Sequence, residues 1–267
     1  MITRFVNDGL EFDVDDAGQA QAPGVVLLHG FPQDRTAWAG VVPLLVERGR
    51  RVLAPDLRGY SPGARPRGRR RYALDLLAGD VIALADQAGL ERFDLAGHDW
   101  GAALAFHVAG LFPERVRTLT ALSVPHRGAW APSALRSAQL WRSAYIGLFS
   151  LPKVPEWVLG RGIGGALRRS GLGEEFARRY AERGRRHELD SALNWYRAMG
   201  LPAAFPRVSV PTLFAWGDAD RYVTERLARM CGAWVDGEYT FEILRGVHHW
   251  IPEMHPELAA ELILRPR

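Results

Sequence analysis

Three short stretches carry side chains that could do covalent chemistry together. The first is Gly97-His98-Asp99-Trp100-Gly101-Ala102. Small residues at both ends permit a very tight turn, which pushes the central side chain outward on a strained backbone. That is the shape of a nucleophile elbow, G-x-S-x-G, with Asp in place of Ser. A turn that opens a helix favours an anion at the helix N-terminus, so Asp99 is expected to stay ionised. The plainer role for Asp99 is a helix N-cap. Flanking glycines after a buried strand favour the nucleophile.

An aspartate nucleophile does different chemistry from a serine. A carboxylate is a poor acyl acceptor, but it can displace a leaving group from saturated carbon and form an alkyl ester. Hydrolysis of that ester needs a general base and an orienting acid. Both occur downstream. Gly217-Asp218-Ala219-Asp220 offers two carboxylates, of which Asp220 is preferred because Asp218 suits a turn. Arg245-Gly246-Val247-His248-His249-Trp250 offers two imidazoles, His248 and His249.

The elements that must position these residues alternate along the chain. Apolar runs at 24–29, 51–55, 93–97, 116–124, 212–216 and 239–244 read as strands. Helical spacing at 72–88, 102–111, 224–231 and 256–264 falls between or after them. Such alternation implies parallel βαβ units with helices on both faces of one sheet. All three reactive stretches follow strands, at the carboxyl ends where open α/β sheets bind ligands. Residues 125–207 hold no convincing strand. They read as helices at 132–149, 155–167, 174–184 and 188–199, rich in Trp, Arg and Leu. The expected organisation is an α/β core of 1–124 and 208–267 with a helical cap of 125–207.

Composition narrows the function classes. The 267 residues are 48% hydrophobic and 24% charged, as in a soluble globular domain. No apolar run is long enough to span a membrane, and the acidic N-terminus does not resemble a signal peptide. A cytoplasmic location is expected. Cys231 is the only cysteine, so an internal disulfide and a Cys-based zinc site are both excluded. The net charge is only +4, despite arginine clusters at 65–71 and 178–186. Neither cluster sits in a nucleic-acid-binding pattern, so they read as a solvated loop and a solvated helix face. A homodimer is left open.

The sequence strongly resembles the α/β-hydrolase superfamily over essentially its whole length, and within it the soluble epoxide hydrolases. The matching motifs are His29-Gly30-Phe31-Pro32, Asp56-Leu57-Arg58-Gly59-Tyr60 and the Asp99 turn. Two further motifs are Trp216-Gly217-Asp218-Ala219-Asp220 and His249-Trp250. The family order is nucleophile, acid, histidine. The resemblance implies Asp99, Asp220 and His249 as the triad, although His248 stands where the family has Gly. It also implies an oxyanion hole from the backbone N–H groups of Phe31 and Trp100. Epoxide hydrolases hold the epoxide oxygen with two cap tyrosines. One matches Tyr196 in Asn194-Trp195-Tyr196-Arg197, and the other matches Tyr145, seven residues before Pro152. A phenol of pKa about 10 can share its proton with a basic alkoxide. Trp141, Tyr145 and Phe149 also have the spacing of a core stripe, and Tyr60 and Tyr180 are the reserve phenols.

The resemblance thus implies an enzyme that opens an epoxide to a vicinal diol, with no metal or organic cofactor. Trp141, Phe149, Trp157 and Trp195 suggest an apolar or aryl substrate. A haloalkane dehalogenase would use the same turn, but it often has Asn where this chain has Phe31. A fluoroacetate-type dehalogenase carries Arg where this chain has Trp100. A non-catalytic binding protein on the same fold is the third reading.

Overall fold

The computed structural model describes residues 1–130 and 139–265. Residues 131–138, where the expected helix 132–149 begins, lie outside the described residues, as does the side chain of Trp141. Eight strands form one sheet: β1 (Arg4–Asn7), β2 (Leu10–Ala17), β3 (Gly24–Leu28), β4 (Arg51–Pro55), β5 (Phe93–His98), β6 (Val116–Leu122), β7 (Thr212–Gly217) and β8 (Tyr239–Leu244). Their order across the sheet is β1-β2-β4-β3-β5-β6-β7-β8. The six from β4 to β8 pair in parallel, and β1 and β2 are antiparallel.

β3, β4, β5 and β7 are buried along their whole length. Helices cover both faces, so these strands read as continuous apolar runs rather than alternating ones. α1 (Val41–Glu47), α2 (Leu74–Gln87) and α3 (Trp100–Leu111) follow β3, β4 and β5. α3 packs on β3, β5, β6 and α2, and accordingly is apolar on nearly every side.

The N-terminal hairpin was not legible as strands from the acid-rich stretch 1–18. Its signal is Asp8-Gly9, both at positive φ (54° and 72°), which fits the twist of a two-residue hairpin turn.

Between β6 and β7 the described residues hold only helices and turns. These are α4 (Gln139–Arg142), α5 (Ala144–Ser150), α6 (Val154–Arg161), α7 (Gly164–Arg169), α8 (Glu174–Arg185) and α9 (Asn194–Ala198). The expected helix 155–167 is split because Gly162 adopts φ 94°, which ends α6. The expected helix 188–199 is corrected to α9 alone, preceded by turns, with His187 at φ 60°. After β7 come α10 (Glu225–Arg229), and after β8 α11 (Ile251–Met254) and α12 (Pro256–Leu264).

Side chains tie these helices to the sheet. The Trp195 indole donates to the Arg58 carbonyl at 2.7 Å, and the Trp250 indole to Ser170 Oγ at 2.9 Å. Gln139 Nε2 and Arg142 Nη1 donate to the carbonyls of Tyr222 and Asp220, each at 2.8 Å. The solvated-face reading of cluster 178–186 is corrected for Arg179 and Arg183. Both pair with Asp34 (2.7 and 2.9 Å), and Arg183 also caps the carbonyls of Pro32 and Gln33. Arg185 and Arg186 stay on the surface, paired with Glu182.

Candidate active site

The centre of the sheet makes the site. β5 lies between β3 and β6, and its last residue, His98, is followed directly by Asp99. Asp99 adopts φ 54°, ψ −120°, a conformation that is costly for a residue with a Cβ. Packing of α3 against the sheet enforces the turn. A Cβ on Gly101 would lie 2.1 Å from the Leu28 carbonyl oxygen, and one on Gly97 would lie 2.2 Å from the Gly101 carbonyl oxygen. Only glycine lets α3 start this close to β3 and β5.

Asp99 is buried, and its Oδ1 accepts a 2.8 Å hydrogen bond from the Phe31 N–H. Its Oδ2 lies 3.4 Å from His249 Nε2. On the other side of that ring, His249 Nδ1 lies 2.7 Å from Asp220 Oδ2. The remaining Asp220 oxygen, Oδ1, accepts from the N–H groups of Tyr222 and Val223 at 2.6 and 3.1 Å. The loops after β5, β7 and β8 therefore bring together the three residues that the motifs single out. The neighbours separate just as clearly. His248 is exposed, with Nδ1 3.2 Å from the Ala219 carbonyl. Asp218 accepts from the Gly246 N–H at 2.7 Å and pairs with Arg245, which makes it a turn residue.

Charge in this row is strongly coupled. Burial works against ionisation of Asp99, but hydrogen bonding and charge from His249 prevail and hold its carboxyl below the usual range. Burial likewise opposes a charged His249. The flanking carboxylates, Asp220 first and Asp99 second, raise its imidazole to about 10. The resting arrangement is an imidazolium between two carboxylates.

The His249 backbone is also fixed. Its carbonyl accepts from Ser123 Oγ at 2.7 Å and lies 2.8 Å from His98 Nε2. Burial lowers the His98 imidazole to about 3, so it is neutral. His98 Nδ1 lies 2.9 Å from the Gln33 amide oxygen, which accepts from the Gly30 N–H at 2.7 Å. Gln33 Nε2 donates to Glu253 at 2.6 Å, and the Tyr180 hydroxyl donates to the same oxygen at 3.0 Å. Burial raises the Glu253 carboxyl to about 7. Sequence reasoning missed Gln33 and Glu253. Each is a polar residue just beyond a quoted motif, Gln33 after Pro32 and Glu253 three residues after Trp250.

Aromatic side chains from the helices between β6 and β7 close over Asp99. Tyr145 and Tyr196, with ring centroids 6.1 Å apart, line both cavities that open beside Asp99. Tyr196 packs edge-on against Trp100, with ring centroids 5.2 Å apart. Burial raises both phenols well above 10, and the negative charge of Asp99 adds to the shift in each. Tyr222 was missed. It lines both cavities and packs edge-on against His249 at 4.7 Å. Its position two residues after Asp220 was the available signal. The reserves fall elsewhere. Tyr180 bonds Glu253, Tyr60 packs on His29 at 4.6 Å, and neither lines these cavities.

One cavity is lined by Phe31, Phe149, Ile163, Leu167 and Trp250, with His249 at its floor. The other is lined by Trp100, Trp130, Ile146, Met199 and Arg127. Of the expected cap aromatics, Phe149 faces the site, Trp195 is buried against Tyr60, and Trp157 is exposed.

Comparison with known proteins agrees with this architecture. The family described as alpha/beta hydrolase fold matches residues 23–256. The chain is 36% identical to the AB hydrolase superfamily protein YfhM of Bacillus subtilis, over 98% of this chain and 96% of that protein. It is 31% identical to epoxide hydrolase A of Mycobacterium tuberculosis, over 96% of this chain and 94% of that one. Among solved structures, epoxide hydrolase A of Mycobacterium thermoresistibile superposes with a TM-score of 0.81 at 28% identity, covering 97% of this chain and 96% of that one. No helix among the described residues is long and apolar enough to cross a membrane. With its central Asp99 turn and six parallel strands, the chain belongs to the α/β-hydrolase family and is similar throughout its length to epoxide hydrolases.

Proposed function

We propose that this protein is an epoxide hydrolase that works through a covalent ester on Asp99. The observation that carries the reading is a buried, ionised Asp99 lying between His249 at 3.4 Å and the phenols of Tyr145 and Tyr196 in shared cavities. A nucleophile on one side and acids for a basic leaving oxygen on the other are what opening an epoxide requires.

Asp99 Oδ1 stays on the Phe31 N–H while Oδ2 attacks an epoxide carbon. The C–O bond of the ring breaks, and its oxygen takes a proton from Tyr145 or Tyr196. Conversion of Asp99 to an ester removes one of the two negative charges that hold the His249 proton. His249 then returns a proton to the tyrosinate and becomes a neutral base. Water attacks the ester carbonyl and His249 Nε2 takes its proton, with Asp220 stabilising the imidazolium. The tetrahedral oxygen rests on the N–H groups of Phe31 and Trp100. Collapse expels the alkoxide, which takes the proton of the newly formed Asp99 carboxyl, so the vicinal diol leaves and the Asp99 carboxylate and His249 imidazolium are restored.

In this reading residues 125–207 are a cap domain over a core of 1–124 and 208–267. The cap supplies the phenols and the core supplies the triad. The cavity lined by Phe31, Phe149 and Leu167 suits an apolar substituent on the epoxide. The dehalogenase alternative is less well served, because Phe31 stands where such enzymes often carry the Asn that helps hold the halide. The deciding experiment is diol formation from a panel of alkyl and aryl epoxides, with Asp99→Ala as control. Diol that vanishes in the variant supports the reading. No diol from any epoxide, with halide released from haloalkanes, overturns it.

A further inference from the structure

The second cavity at Asp99 contains a cation that the proposed reaction does not use. Arg127 follows β6, where the chain leaves the sheet for the helices, and it lines this cavity together with Asp99, Tyr145 and Tyr196. Its guanidinium stacks on the rings of Trp100 (5.9 Å) and Phe205 (5.3 Å). Among the described residues it makes no hydrogen bond and no ion pair. Residues 131–138 contain no acid that could supply one. Besides Asp99 and the tyrosines of this cavity, the titratable side chains near it include His107 and His126, whose imidazoles burial lowers. Asp75 lines the neighbouring cleft, which Arg127 also borders, but its carboxylate is 2.7 Å from His107 Nε2 and makes no ion pair with Arg127. Burial lowers the Arg127 guanidinium to about 10, with no carboxylate offsetting that cost.

Buried charges in proteins are paired or coordinated, because desolvation is otherwise uncompensated. The other enclosed arginines here obey this rule. Arg51 pairs with Asp16 at 2.7 Å, Arg58 with Asp80 at 2.7 Å and Arg183 with Asp34 at 2.9 Å. Arg127, which is partly exposed, is the exception, and it lines both the cavity that holds the nucleophile and the neighbouring cleft.

We infer that Arg127 is a substrate-binding residue and that the preferred substrates are small epoxides carrying a carboxylate a few bonds from the ring. The inference rests on the epoxide hydrolase reading and narrows its substrate class. A guanidinium presents a planar fork of N–H donors that matches a carboxylate. One arginine in a cavity that also holds the negative Asp99 suits a monoanion better than a phosphate dianion. The arrangement also solves a steering problem, since an anionic substrate would otherwise be repelled by Asp99. The sequence had suggested an apolar or aryl substrate. Both cavities are lined mainly by apolar side chains, and Arg127 gives this one a single cationic donor, so the proposed substrate has two unlike ends.

The test compares 3,4-epoxybutanoate with its neutral amide. The wild-type protein should show a higher kcat/KM for the acid, by about 10- to 100-fold, the range of a hydrogen bond to a charged group. Arg127→Gln should cost the acid at least ten times more than the amide, mainly through KM, and Arg127→Lys should restore part of the loss. Equal rates for acid and amide in the wild-type protein, or equal losses in Arg127→Gln, would overturn the inference while leaving epoxide hydrolysis standing. A binding arm is independent of turnover. Butanoate, but not butanamide, should change the fluorescence of Trp100 and Trp130 saturably in wild type and not in Arg127→Gln. If no epoxide yields diol, the reaction reading fails and this arm still decides the anion site. Absence of butanoate binding overturns it.

Discussion

The two sides of Asp99 are built on opposite principles. On the sheet side nearly every polar atom is committed. His249 is held by Asp220, its carbonyl by Ser123 and His98, and Asp220 by two backbone N–H groups. On the helical side polar atoms are left open. The Tyr145 hydroxyl has no hydrogen bond among the described residues, and Arg127 has no partner there. A satisfied network is rigid and fixes geometry. Open donors in an enclosed cavity are available to a ligand. In the proposed mechanism the loops of the sheet position the reacting groups and store the proton, and the segment between β6 and β7 supplies recognition and leaving-group stabilisation.

The largest effect should come from the residue both sides serve. Asp99→Ala should abolish diol formation, a loss of about 10⁴-fold or more, as for the central residue of a catalytic unit. A variant keeping more than a tenth of wild-type activity would place the nucleophile elsewhere. Next, His249→Gln should stop the second step and not the first. Intact-mass measurement after incubation with an epoxide should show protein heavier by one substrate, whereas continued turnover of unmodified protein would remove His249 as the base. On the helical side, Tyr196→Phe and Tyr145→Phe should each slow alkylation in single-turnover experiments by about 10²-fold, within the range of general acid catalysis. Slower ester hydrolysis with unchanged alkylation would reverse the division between the two sides.

A smaller effect concerns stability and pH. The His249 imidazole is raised from near 6.5 to about 10, so its ion pairs stabilise the fold fully below pH ~6.5. That contribution is lost progressively as pH rises through about 10. The Tm of the wild-type protein should therefore fall over this window more steeply than that of His249→Gln. Parallel curves would show that His249 is not charged in the resting enzyme. The smallest effect is expected from the rejected neighbours. His248→Ala and Asp218→Asn should each leave kcat within about threefold, since neither side chain faces the cavities; surface substitutions of this kind seldom matter more. A hundredfold loss in either would reopen the choice between the paired candidates.

Much of this site was legible because it is carried by local backbone demands. The Asp99 turn needs glycine at 97 and 101, where a Cβ would meet a carbonyl at 2.2 or 2.1 Å. That demand is written into adjacent residues. The buried parallel strands were visible for a similar reason, since coverage on both faces produces unbroken apolar runs. The helices between β6 and β7 were less legible. A turn at Gly162 cuts the apparently continuous stretch 155–167, and the stretch 188–199 shortens to Asn194–Ala198; tertiary packing decides where. Tyr222, Gln33 and Glu253 were missed because their roles depend on contacts with residues distant in sequence, such as Tyr180 to Glu253 across 73 positions.

The sequence by itself determined that a carboxylate would sit at a strained strand–helix turn, with an acid and a histidine following two later strands. It did so because turn geometry and strand burial act through near neighbours. Only the tertiary structure decided that His249 and not His248 faces Asp99, and that Tyr145 and Tyr196 share cavities with it. Only there, too, does Arg127 emerge as a half-buried cation without a partner among the described residues, while Arg183, in the cluster that read as solvated, is paired. Pairing, burial and the pKa shifts they cause are properties of three-dimensional neighbours, and no local pattern encodes them.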